Sequence, residues 1–127
     1  MIVIDASAAV LALLNDGVAR STLRDGAVAC PHLADSEVAH ALRSQVLRGG
    51  GQADDARRAI EAWAHLGIER VSVQGLLPRI WELRGNVSAY DATYVAVAEV
   101  LEAPLVTADG RLARAPGPRC PITVVPR

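Results

Sequence analysis

The chain has 127 residues, a net charge of -1 and 51% hydrophobic residues, but no Phe and only 3% aromatics. That length makes one compact domain, residues 1–127, with a core of Ala, Val, Leu and Ile. No apolar run nears the ~18 residues that cross a bilayer and no basic segment precedes the apolar start, so a cytoplasmic protein with no membrane partner is expected, and the near-neutral balance excludes nucleic-acid binding by bulk basicity, leaving only local contact.

In chain order, residues 2–4 form a first apolar strand that runs into Asp5, followed by helical patterns at 8–15 and 19–24. A second strand at 27–30 leads into a long helix, 33–47, which stops at "RGGGQ" before a helix at 53–66. A strand at 68–73 precedes helices at 76–84 and 89–101, the latter stopped by Pro104 ahead of a strand at 105–107. A short helix at 111–114 and a Pro-flanked strand at 122–125, which fits a sheet edge, complete the pattern. Strands separated by helices predict a parallel sheet covered on both faces. Cys30 and Cys120 are too few and too far apart for a staple or a zinc knuckle and are expected as buried free thiols.

Four acids stand in apolar company. Asp5 ends the first strand and Asp109, in "LVTAD", follows a later one, so a parallel sheet puts both at the edge where open α/β sheets bind ligands. Asp91 opens "SAYDATYVAVAEVL", a helix apolar all round and hence expected to be buried, on the face shared with Val95 and Ala98. Glu37 lies about 100° from Val38 on the rim of the inner face made by Val38, Ala41, Leu42 and Gln45. Each also has an ordinary reading. Asp5 can cap the following helix, Ser88 and Asp91 have capping-box spacing, "TADG" is turn chemistry and Glu37 can be solvated. The other acids, among them Asp35, Asp54, Asp55, Glu61, Glu69, Glu82, Glu99 and Glu102, are assigned to solvated surface.

Jointly, carboxylates crowded at one edge raise one another's pKa unless a cation neutralises them, and an oxygen-only cluster suits Mg²⁺ or Mn²⁺. Glu37 and His40 form an isolated E-x-x-H pair, and no zinc pattern involves the four acids.

"IDAS", the Glu of "LADSEVAHAL", "YDATYVAVAE" and "LVTADGRL" resemble, in order and spacing, the PIN-domain ribonucleases, and specifically the VapC-type toxins of bacterial type II toxin–antitoxin pairs. The resemblance implies a three-layer α/β/α sandwich with a four- or five-stranded parallel sheet and a Mg²⁺- or Mn²⁺-dependent endoribonuclease that hydrolyses RNA through metal-activated water. It makes Asp5, Glu37, Asp91 and Asp109 the catalytic, metal-holding quartet, with Ser7 and Thr107 as supporting hydroxyls. It also implies a homodimer and a cognate antitoxin. Trp63, Trp81, Tyr94 and the apolar face of 53–66 are candidate docking surface or core, and Arg43, Arg84 and Arg111 are candidate RNA contacts or ordinary surface.

A PIN-type nuclease of RNA processing outside a toxin pair, and a non-catalytic PIN-like scaffold, are the alternatives. A phosphoacceptor domain would need a lysine, and all thirteen basic residues here are Arg. A Rossmann module would need a G-x-G-x-x-G after the first strand, where there is none.

Overall fold

The computed structural model describes all of residues 1–127. Five parallel strands, β1 (Ile2–Ile4), β2 (Val28–Pro31), β3 (Glu69–Val71), β4 (Leu105–Thr107) and β5 (Ile122–Val124), form one sheet in the order β3-β2-β1-β4-β5. Seven helices connect them: α1 (Ala6–Leu14), α2 (Val18–Arg24), α3 (Leu33–Leu47), α4 (Ala53–His65), α5 (Leu77–Glu82), α6 (Ala89–Val100) and α7 (Gly110–Arg114). The result is the expected α/β/α sandwich with five strands. β1 pairs with β2 on one side and with β4 on the other, through Val3 opposite Ala29 and Leu105. The order therefore reverses between β1 and β4, and a crevice opens beyond their C-terminal ends.

Burial follows from this order. The central strands are dry on both faces, with Val3, Ile4, Leu105, Val106 and Thr107 all buried, which is why they read as unbroken apolar runs rather than alternations. β3 and β5 are the edges and are largely accessible. Residues Ala92 to Ala98 of α6 are buried on every side, so a helix apolar all round is enclosed. Alanines at Ala92, Ala96 and Ala98 let neighbouring backbones approach, and Tyr94 is the largest of the fully enclosed side chains. The expected helix at 76–84 is a single short α-helix between two 3₁₀ turns, Gln74–Leu76 and Leu83–Gly85. Pro78 in its first turn suits a helix start, and the helix gives way after Glu82 to the turn that closes at Gly85. No helix is long and apolar enough to cross a membrane.

Three expectations need correction. Asp35, partly exposed, is not merely solvated: it accepts hydrogen bonds from Trp63 Nε1 at 2.7 Å and from Arg70 Nη2 and Nε at 2.7 and 3.2 Å. The Arg70 guanidinium also lies 5.5 Å from the centre of the Trp63 ring, so one group ties α3, α4 and β3 together. Glu99 likewise accepts from Arg79 Nε at 2.8 Å and from the Arg119 backbone N–H at 2.8 Å. Cys30 is buried, with its thiol pKa pushed up to about 11 by burial, whereas Cys120 is only partly covered.

The hydrogen bonds from Arg70 hold the Asp35 carboxyl below its ordinary pKa. A carboxyl depressed in the folded state stabilises the fold above its unfolded pKa of about 3.9, and that contribution is lost as pH falls through the folded value. Asp35→Ala is expected to lower the thermal midpoint at pH 7 by about 4 °C, the equivalent of about 1 kcal/mol for a partly exposed charged pair. Melts of both proteins from pH 7 down to pH 3 should show the difference shrinking toward the acid end.

Candidate active site

Asp5 leaves β1 in extended conformation and becomes the N-cap of α1, its Oδ1 accepting from the Ala8 backbone N–H at 3.0 Å. The same oxygen accepts from Ser7 Oγ at 2.7 Å, while Oδ2 accepts from Thr107 Oγ1 at 2.5 Å. Capping and site-building are thus one arrangement rather than competing readings. Both hydroxyls are in turn anchored by the loop after β4. Ser7 Oγ accepts from the Ala108 N–H at 2.9 Å and Thr107 Oγ1 from the Asp109 N–H at 3.0 Å. A continuous path of hydrogen bonds therefore runs from the Asp109 backbone through Thr107 to the Asp5 carboxylate. Ser7 and Thr107 both stand against the Asp5 carboxylate.

Burial pushes the Asp5 pKa up, its three donors pull it back, and Asp109 adds a smaller upward push. Asp91 is half-buried and its pKa is also raised, first by burial and then by the negative charges of Asp5, Asp109 and Glu37. The sequence spacing suggested a capping box, and only half of it forms. Ser88 Oγ accepts from the Asp91 N–H at 3.1 Å, but the Asp91 carboxylate does not reach back. That carboxylate accepts no hydrogen bond from the protein and feels three like charges, which the more distant influence of Arg111 only partly offsets.

The remaining two acids have protein partners. Asp109 caps α7 through the Arg111 N–H at 2.9 Å and is approached by the Arg111 guanidinium at 3.3 and 3.4 Å. These contacts lower its pKa, so the upward shift expected across the whole cluster does not extend to Asp109. Glu37 Oε1 accepts from Tyr94 Oη at 2.6 Å. Burial and this bond push the Tyr94 hydroxyl far above its ordinary range, so it stays a neutral donor. Tyr94 is a site residue that sequence reasoning placed among interface or core aromatics; its position one turn after Asp91 was the available signal.

With Glu37 and Asp109 committed to these partners, no three acidic, His or Cys side chains converge closely enough to hold a metal ion as they lie. The donor chemistry nevertheless fits a hard divalent cation. The cluster offers only oxygens, and an unpartnered carboxylate among like charges is the group such an ion would relieve. Of the candidate RNA contacts, Arg111 lies at the site, Arg84 stacks 4.6 Å from the centre of the exposed Trp81 ring, and Arg43 is exposed on α3.

Two variants separate the groups. Thr107→Val leaves the buried Asp5 Oδ2 and the Asp109 N–H without their partner and should destabilise the protein by about 1–3 kcal/mol. Asp91→Asn removes repulsion and costs no hydrogen bond, so its thermal midpoint at pH 7 in EDTA is expected to equal or exceed that of the parent. Thermal melts followed by circular dichroism check both.

The PIN domain family model matches residues 2–118. The chain is 54% identical, over the full length of both proteins, to VapC ribonuclease Mb0985 of Mycobacterium bovis and to Ribonuclease VapC9 of Mycobacterium tuberculosis. It is 44% identical to Ribonuclease VapC1 of Mycobacterium tuberculosis, covering 97% of this chain and 96% of that one. Among solved structures, PAE2754 from Pyrobaculum aerophilum superposes with a TM-score of 0.65 at 26% identity, covering 89% of this chain and 82% of that one. Mycobacterium tuberculosis VapC20, described as a sarcin-ricin loop cleaving toxin, superposes with a TM-score of 0.63 at 20% identity over 90% of this chain and 94% of that one, a likeness of fold. With the sheet order, the acids at its reversal point and these relatives in agreement, the chain belongs to the PIN-domain family, among its VapC ribonucleases.

Proposed function

We propose that this protein is a Mg²⁺- or Mn²⁺-dependent endoribonuclease acting in the cytoplasm as the toxin of a toxin–antitoxin pair. The observation that carries this reading is the unpartnered Asp91 carboxylate, half-buried and pressed by Asp5, Glu37 and Asp109 from three other parts of the chain. A fold that only needed stability would replace it by Asn. The names of the VapC relatives support the choice of RNA as substrate.

Asp5, Glu37, Asp91 and Asp109 would hold the metal. Bound there, a divalent cation supplies a Lewis acid that lowers the pKa of water and offsets charge on a departing oxygen. The protein's own contribution is positional. Ser7, Thr107 and the Ala8 N–H fix both oxygens of Asp5, so that carboxylate needs little reordering when it acts. Tyr94 fixes one oxygen of Glu37 and leaves Oε2 free of it. Arg111 keeps Asp109 ionised and, being largely exposed, brings positive charge to an acidic edge that RNA phosphate must approach.

The antitoxin is proposed to dock along α3 and α4, where Leu42, Val46, Leu47, Ala56 and Ile60 line an apolar groove suited to an amphipathic segment. A homodimer is expected as well. Trp63 and Tyr94 are buried and unavailable to either partner, while Trp81 is accessible.

Purified protein should cut a structured RNA pool with Mg²⁺ or Mn²⁺ and stop in EDTA, and Asp5→Asn should lower the rate at least about 100-fold. Tyr94→Phe should fold normally yet lose about 10–100-fold in activity, with a matching loss of Mn²⁺ affinity by calorimetry. A parent protein that neither cuts RNA nor binds Mn²⁺ would instead be a scaffold of the same fold.

A further inference from the structure

A second feature adjoins the acids, sharing Ser7 and Glu37 with them on one wall. Between α1, α3 and the start of α6 lies an open hollow of about 580 Å³ bordered by Ser7, Ser36, Glu37, His40, Ala41 and Tyr90. That volume is within the range of small-molecule sites. Tyr90 immediately precedes Asp91 and is 62% exposed, although it belongs to a helix whose next seven buried positions are packed tightly. The groups on the acidic wall are spoken for: Ser7 is bonded to Asp5 and the Ala108 N–H, and Glu37 to Tyr94. Those on the outer wall are not. The side chains of Tyr90, Ser36 and His40 make no hydrogen bond within the chain, and both Ser36 and His40 are exposed.

The charge of the hollow restricts what enters it. No Arg borders it and Glu37 forms its inner wall, so a phosphate would be repelled where a flat, uncharged ring would not. An exposed aromatic face beside unused donors and acceptors is how single-stranded nucleic acids are held, by stacking first and edge contacts second. We propose that this hollow receives an unstacked base of the RNA strand beside the phosphodiester at the acids, with Tyr90 as the stacking platform and His40 and Ser36 reading the base edge. The inference rests on the ribonuclease reading and deepens it, because it assigns substrate selection to α3 and the first turn of α6. Tyr90 and Asp91 being chain neighbours, the stacked base and the scissile phosphate are then set by one helical turn.

The test uses the full-length protein with Mn²⁺ and a pool of short unstructured oligoribonucleotides randomised around a central position. Tyr90→Ala is expected to raise KM about tenfold and to equalise cleavage among the four bases at one position beside the cut. Tyr90→Trp, which keeps a stacking face, should hold KM well below the alanine value and retain a base preference. Circular dichroism and calorimetry with Mn²⁺ alone should match the parent for both variants, since the ring is exposed. Parent-like KM and base preference in Tyr90→Ala would overturn the base subsite and leave the nuclease reading standing. A parent protein that cuts structured RNA but none of this pool would overturn the base subsite alone, and one that cuts neither would overturn both. A Tyr90→Ala protein altered only in its sedimentation would mark the ring as a protein contact, and the subsite would again be overturned.

Discussion

The Asp5 carboxylate is the point on which this molecule turns. It is a buried charge at the end of the central strand, and burial alone would drive it toward the neutral form. Three donors from two places, Ser7 Oγ and the Ala8 N–H in the first turn of α1 and Thr107 Oγ1 at the end of β4, compensate that cost and in doing so fix where α1 starts and where the β4 loop lies. Because the cap and the site share the same atoms, neither can drift without the other.

Around that anchor the sheet order does the gathering. β1 and β4 are neighbours although about a hundred residues separate them, and the reversal of strand order between them leaves their ends uncovered by a connecting helix. Asp109 comes from just beyond the second of these strands, Asp91 from the buried helix that precedes it, and Glu37 from α3. The four are not equivalent. Asp5 is fully satisfied, Glu37 and Asp109 each have one protein partner, and Asp91 has none. Burial and the charges of Asp5, Asp109 and Glu37 raise the pKa of that one carboxylate against a smaller opposing pull from Arg111, so it is where a cation would have most to gain.

Much of this could be read from the residues because burial was written in their order. β1, β4 and α3 fall on the residues expected, since apolar runs bounded by Asp5, Pro104 and the Gly49–Gly51 segment leave few alternatives. The enclosed α6 was legible for the same reason. Long-range pairing of polar side chains was not. Asp35 and Glu99 sit in stretches that look like ordinary helix surface, and only the fold brings Arg70 and Arg79 to them from 35 and 20 residues away. Tyr94 shows the limit most clearly: its spacing from Asp91 places it inward, but nothing in the sequence names Glu37, 57 residues earlier, as the acceptor for its hydroxyl. The pairing of Asp109 with Arg111 was within reach, because the two are almost adjacent.

The hydrogen bond from Thr107 to Asp5 spans 102 residues of chain, and it bears on how the protein is made. Chains emerge from the ribosome N-terminus first, and pairing between distant segments is slow because loop closure must precede it. β1 and β2 can meet early, but the opposite flank of β1 stays unpaired until residues 105–107 have been synthesised and released. Until then Asp5 lacks Thr107, and Asp109 does not yet exist. A nascent or prematurely terminated chain accordingly carries no assembled acidic cluster, so whatever chemistry that cluster performs is confined to molecules whose synthesis is nearly complete.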